Sequence, residues 1–206
     1  MLDCVWVRKM RIVDLSMPLS DGTPVYPSDP EVEIKTIRRI ETDGYYMNYL
    51  MMGEHVGTHV DAPAHFIANG KTVEKIPLDV FFGEGVVLRP QEVSGDLRGK
   101  VLLLLTEGRS IDVKTAGKVV KSGVKLVGID SMSIGNEEVH RLLLGEGIPI
   151  IENLTNLKLL KGKRFLFFAF PLPIVGGSGS PVRAVAIIPE RETQGGLYPC
   201  ETSLWI

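Results

Sequence analysis

The chain has 206 residues, with 44% hydrophobic and 23% charged residues and a net charge of −2. That length suits one substantial core, so residues 1–206 are read as a single domain, and the composition excludes a disordered, collagenous or coiled-coil chain. The near-neutral balance leaves no basic footprint for nucleic acid, and no apolar run approaches the roughly 20 residues of a membrane span.

The first eleven residues carry a short apolar run broken by Asp3, Arg8 and Lys9, without the long apolar core of a signal peptide. Met10 is a candidate start, because the ordered pattern begins at Arg11. Cys4 and Cys200, near opposite ends, form neither a disulfide framework nor a thiolate metal site and are read as free thiols in a reducing cytoplasm. Residues 11–15 predict a short strand. Pro24, Pro27, Pro30 and Gly22 make residues 20–30 a constrained loop. Residues 31–37 alternate polar and apolar, as a half-buried strand does, and the aromatic and apolar stretch 45–52 predicts another.

Next comes His55-Val56-Gly57-Thr58-His59-Val60-Asp61-Ala62-Pro63-Ala64-His65, which holds three of the four histidines of the chain. Neutral imidazole and carboxylate are ligands for Zn²⁺, Mn²⁺ or Fe²⁺. Gly57, Thr58 and Pro63 argue against a helix here. In an extended segment His55, His59 and Asp61 share one parity and point to one face, as does His65 if the chain stays extended past Pro63.

The second half follows a different pattern. Residues 101–105 form a continuous apolar run, expected of a strand buried on both faces. Residues 112–121 have helical spacing, 125–129 read as a strand, and Asn136 caps a helix through Leu144 that Gly145 and Gly147 end. Residues 148–151 are a third buried strand, followed by Glu152. This order implies parallel strands joined by helical crossovers. Residues 164–170 and 183–188 add two strands, giving a mixed, strand-rich α/β domain. The fourth histidine, His140, falls on the second helix, and the returning strand can bring Glu152 to the same sheet edge. With Asp61 bridging, these two can supply a second metal position.

Several chemistries find no support. The chain has no His-Glu-x-x-His for a helical zinc protease, and its histidine spacing is not that of metallo-β-lactamase-type hydrolases. The glycine-rich residues 176–180 lack the Gly-Lys-Ser/Thr ending of a phosphate loop and read as a turn beside the pocket. No Gly-x-Ser-x-Gly elbow is present.

Residues 55–66 resemble the signature His-x-Gly-Thr-His-x-Asp-x-Pro-x-His-Phe of the metal-dependent cyclase family, which includes bacterial kynurenine formamidases and isatin hydrolases. Asp14-Leu15-Ser16 and Gly22-Thr23-Pro24-Val25-Tyr26-Pro27 resemble the family's opening, Gly128-Ile129-Asp130-Ser131 the approach to its later histidine, and Gly179-Ser180-Pro181-Val182-Arg183-Ala184 its closing segment. The resemblance implies a swivelling β/β/α fold and a homo-oligomer, dimer or tetramer. It implies a first divalent metal on His55, His59 and Asp61, and a second shared by Asp61 with His140 and Glu152, with Zn²⁺ or Mn²⁺ the expected ions. His65 would be the catalytic acid/base. The implied activity is arylformamidase, hydrolysis of N-formylkynurenine to kynurenine and formate by metal-activated water. Alternatives are a cyclic-amide (isatin-type) hydrolase or cyclase on the same site, or a non-catalytic metal-binding protein. Tyr26 stands where the formamidases typically carry a tryptophan against the substrate, and its ring can still stack on an arylamide.

Overall fold

The computed structural model describes residues 10–27 and 29–189. The expectations for Cys4, Cys200 and the first nine residues lie outside them. In chain order the strands are β1 (Met10–Asp14), β2 (Glu33–Arg38), β3 (Met47–Met51), β4 (His59–Asp61), β5 (Phe82–Leu88), β6 (Val101–Leu104), β7 (Leu126–Ile129), β8 (Ile150–Glu152), β9 (Phe165–Phe168), β10 (Gly179–Pro181) and β11 (Val185–Pro189). The helices are α1 (Ile40–Asp43), α2 (Val113–Ser122) and α3 (Glu137–Gly145).

Nine strands form one mixed sheet in the order β1-β11-β9-β5-β6-β7-β8-β4-β10, and β2 and β3 form a separate hairpin. Its centre, β5 to β8, is parallel, with α2 and α3 in the connections, as the alternation of strand and helix patterns predicted. Caps set where these helices begin: Asp112 accepts from Thr115 N at 2.8 Å and Asn136 from Val139 N at 3.1 Å.

The uninterrupted apolar run of β6 has a packing cause. Leu102 and Leu104 join Ala116, Val119, Val139 and Leu143 in a core beneath the helices. Val101 and Leu103 point the other way, into a core with Val60, Ile151, Phe165 and Phe167. Truncating one of these buried leucines to alanine costs roughly 2–5 kcal/mol.

Two local expectations are corrected, and one strand is additional to them. β5 was not anticipated, because Gly83, Glu84 and Gly85 break its apolar pattern; pairing on both sides, with β6 and β9, supplies what propensity lacks. The glycine-rich stretch 176–180 is only partly a turn, since Gly179 and Ser180 belong to β10, which pairs antiparallel with β4. The histidine segment is extended only over β4. His55 lies on the preceding turn, and Pro63–His65 form a 3₁₀ turn with proline at its start. Proline has no N–H to lose in a first turn and its φ suits one, so His65 does not follow strand parity.

Candidate metal centre

The site forms at one end of the sheet, where β4 lies between β8 and β10. Antiparallel pairing sets His59 directly opposite Glu152, and His59 and Asp61, two residues apart, share a face. The turn before β4 returns His55 over that face. Gly57 makes this turn possible: its φ is +62°, and an added Cβ would lie 2.6 Å from Leu19 Cδ2. Buried Thr58 ties the turn down, accepting from Met17 N at 2.9 Å and donating to Asn153 O at 2.7 Å. The first turn of α3 delivers His140.

All five metal candidates from the sequence meet here. His55 Nδ1 is 2.8 Å from Asp61 Oδ1, and His59 Nε2 is 3.3 Å from the same oxygen. His140 Nε2 lies 3.2 Å from Glu152 Oε1 and 3.7 Å from Asp61 Oδ2. His59 Nε2 is 3.6 Å from Glu152 Oε2. Two ligand triplets result, His55/His59/Asp61 and Asp61/His140/Glu152, each with donor atoms within 4.8 Å of one another. Asp61 belongs to both. His59, Asp61, His140 and Glu152 are each 5% exposed or less, so water does not neutralise them.

The hydrogen bonds behind the rings fix where the lone pairs point. His59 Nδ1 faces the Gly57 carbonyl and His140 Nδ1 the Asn136 carbonyl, each at 2.9 Å. A carbonyl only accepts, so each Nδ1 carries a proton and each Nε2 turns toward the carboxylates. Asp61 Oδ2 is buried with no hydrogen-bond partner among the described residues. Such an atom is costly unless a cation completes it. Converging imidazole nitrogens, two buried carboxylates and an orphaned oxygen fit a bound metal.

Charge perturbations agree with this arrangement. Burial opposes charge on His59, but the hydrogen bond and charge of Asp61, with the charge of Glu152, outweigh it and raise its pKa to about 9. Burial works against ionised Asp61, yet His55 and His59 hold its carboxyl well below the ordinary range. Burial, then the charge of Asp61, raises Glu152. His140 is raised against its burial, chiefly by its hydrogen bond to Glu152.

His65 stands apart from the ligand triplets. Its ring stacks on His55 with centroids 3.8 Å apart, and meets Phe66 edge-on at 4.5 Å. Its outer face is open to solvent. Desolvation of the inner face, opposed by Asp61 and reinforced by the other histidines, lowers its pKa to about 4. A cavity of about 350 Å³ opens over the cluster, lined also by Tyr26, Phe66 and Met132; that volume suits a small-molecule ligand. Tyr26 lies on the cavity wall, with 59% of its surface exposed.

Sequence reasoning gave no role to Phe66, Asn153, Ser178 or Glu54, the last of which accepts from Ser178. Phe66 stacks on His140 with centroids 4.6 Å apart. Asn153, in the left-handed region at φ 57°, donates to the Gly57 carbonyl at 2.9 Å. Ser178 contacts His55 Nε2 at 2.9 Å, and its place in the glycine-rich stretch was the only signal that could have found it.

The site, together with the proteins to which this chain is similar, defines a metal-dependent hydrolase. The Cyclase family matches residues 13–103. The kynurenine formamidase of Salinibacter ruber is 34% identical over 85% of this chain and 97% of its own. An isatin hydrolase solved with the product analogue thioisatinate shares the fold at TM-score 0.78 and 20% identity, over 88% of this chain and 93% of its own. A solved potential metal-dependent hydrolase with cyclase activity is 26% identical, at TM-score 0.71, over 89% of this chain and 100% of its own. The chain belongs to the Cyclase family.

Proposed function

We propose that this protein is a metal-dependent amide hydrolase acting on N-formylated arylamines, with N-formylkynurenine as its substrate and formate and kynurenine as products. The observation that carries this reading is the position of His65: a solvent-facing imidazole stacked on one member of a buried cluster suited to metal. In this reading His55, His59 and Asp61 hold one ion, and Asp61, His140 and Glu152 hold a second, Zn²⁺ or Mn²⁺. When bound, such ions supply a water of lowered pKa and polarise a carbonyl oxygen.

The chain's own residues do the rest. His65, with its pKa near 4, is neutral at ordinary pH and accepts a proton as water adds to the formyl carbon. It returns that proton to the arylamine nitrogen as the carbon–nitrogen bond breaks, so the amine leaves neutral. Tyr26 and Phe66 offer aromatic faces to the arylamine ring. Asp29 and Glu137, also on the cavity wall, suit the α-ammonium group of kynurenine. The 34% identity to a kynurenine formamidase over most of both chains supports the formyl substrate.

The same reading takes residues 1–206 as one domain working in the cytoplasm as a homo-oligomer. No helix among the described residues is long and apolar enough to cross a membrane. Support for self-association lies in the β2–β3 hairpin, where Ile37, Ile40, Tyr45, Tyr46, Met47, Tyr49, Leu50 and Met51 are each 43–65% exposed. Large apolar and aromatic side chains left exposed together in this way mark an interaction surface.

Parallel assays of formate release from N-formylkynurenine and of ring opening of isatin, on protein loaded with Zn²⁺ or Mn²⁺, test the substrate. Preferred turnover of the formyl substrate is expected. Turnover of isatin alone would move the assignment to cyclic amides, and turnover of neither by metal-loaded protein would overturn amide hydrolysis.

A further inference from the structure

The three histidines of the two ligand triplets are held from behind in different ways. His59 and His140 lean on backbone carbonyls, which no substitution at those positions removes. His55 leans on a side chain. Its Nε2 is 2.9 Å from Ser178 Oγ. Ser178 in turn donates from both N and Oγ to Glu54 Oε2, each at 2.8 Å.

Proton counting fixes the direction of this chain. A serine hydroxyl has one proton and lone pairs to spare. The backbone N–H of Ser178 can only donate, so Glu54 Oε2 is an acceptor, and the hydroxyl gives its single proton to that oxygen as well. Ser178 Oγ is then left to accept, and its contact with His55 requires the imidazole proton on Nε2. The lone pair of Nδ1 therefore faces Asp61 Oδ1 across 2.8 Å, a gap that only a proton or a metal ion can reconcile. The backbone is built close enough to hold this geometry: a Cβ on Gly179 would lie 2.5 Å from His55 Cε1.

We propose that Glu54 and Ser178 are positioning residues that fix the tautomer of His55 and present Nδ1 as its metal-ligating atom. This rests on the reading above that His55 holds a metal. Outer partners of this kind change metal affinity by about 10–100-fold when removed. Neither residue touches the substrate in this account; both act through His55.

The test measures metal dissociation constants by competition with a chromophoric chelator, for wild type, Ser178→Ala, Glu54→Ala and Ser178→Thr, with thermal unfolding as a check on folding. In parallel, ¹⁵N-histidine NMR of Zn²⁺-loaded protein reads which nitrogen of His55 carries the proton. The expected result is at least tenfold weaker binding in the two alanine variants, recovery to within about threefold of wild type in Ser178→Thr, and an Nε2–H signal for His55 in the wild type. Alanine variants that bind as tightly as wild type, or a His55 proton on Nδ1, would overturn the proposal. A wild-type protein that takes up no metal in the same titration would instead sink the metal reading beneath it, so the two failures are distinguishable.

Discussion

The imidazole of His65 lies against that of His55, tilted by only 25° with ring centroids 3.8 Å apart. One ring belongs to a candidate ligand triplet; the other belongs to none among the described residues and faces solvent. The proposed ligand and the proposed acid/base are thus separated by a single van der Waals contact.

That separation makes the two roles independently removable. His65→Ala is expected to lower kcat by about 10²–10⁴, the usual contribution of a positioned acid/base, with metal content unchanged. Kinetics and metal analysis on the same preparation check this. Loss of metal in the variant would make His65 a ligand.

Asp61 takes part in both triplets, whereas His140 takes part in one. Asp61→Asn is expected to lose both ions, and His140→Ala to retain the ion on His55, His59 and Asp61. Atomic emission on dialysed protein gives the stoichiometries. Equal losses in the two variants would remove Asp61 from its bridging place.

The raised pKa of His59 has a consequence for the metal-free fold. Its folded value of about 9 lies above the ordinary 6.5, so the protonated ring binds more favourably in the folded state. That contribution is fully present below pH 6.5 and is lost as pH rises through 9. The raised Glu152 and His140 act in the same direction. Chelator-stripped protein should therefore unfold at progressively lower temperature between pH 6.5 and 9, whereas metal-loaded protein, in which the cation replaces the proton, should not. Scanning calorimetry on both forms reads the difference; parallel curves would contradict it.

The hairpin makes a prediction away from the site. Tyr49 and Leu50 are each more than half exposed on β3. Replacing them together, Tyr49→Lys with Leu50→Glu, should shift the protein to the mass of one chain in light scattering while the fold persists. An unchanged mass of more than one chain would take the proposed interface off the hairpin, and a wild type with the mass of one chain would remove the proposed oligomer.

Much of this molecule was legible because its strongest signals are local. The buried runs of β6, β7 and β8 had to be apolar on both faces, and Asp112 and Asn136 marked helix starts that the structure keeps. His55, His59, Asp61, His140 and Glu152 were nameable since their residue types and the helix–strand order pointed to one edge. What escaped depends on pairing in three dimensions. β5 carries glycines that only flanking strands make tolerable. The reach of His65 depends on a 3₁₀ turn at Pro63 rather than on strand parity. Ser178 and Glu54 stand more than 120 residues apart in the chain, and no local pattern links a serine among glycines to a glutamate before a histidine.

The most direct measurement is formate release from N-formylkynurenine by one preparation, stripped with EDTA and then titrated with Zn²⁺ or Mn²⁺. The account predicts negligible release from stripped protein and recovery that saturates near two ions per chain. Equal rates from stripped and loaded protein would contradict it.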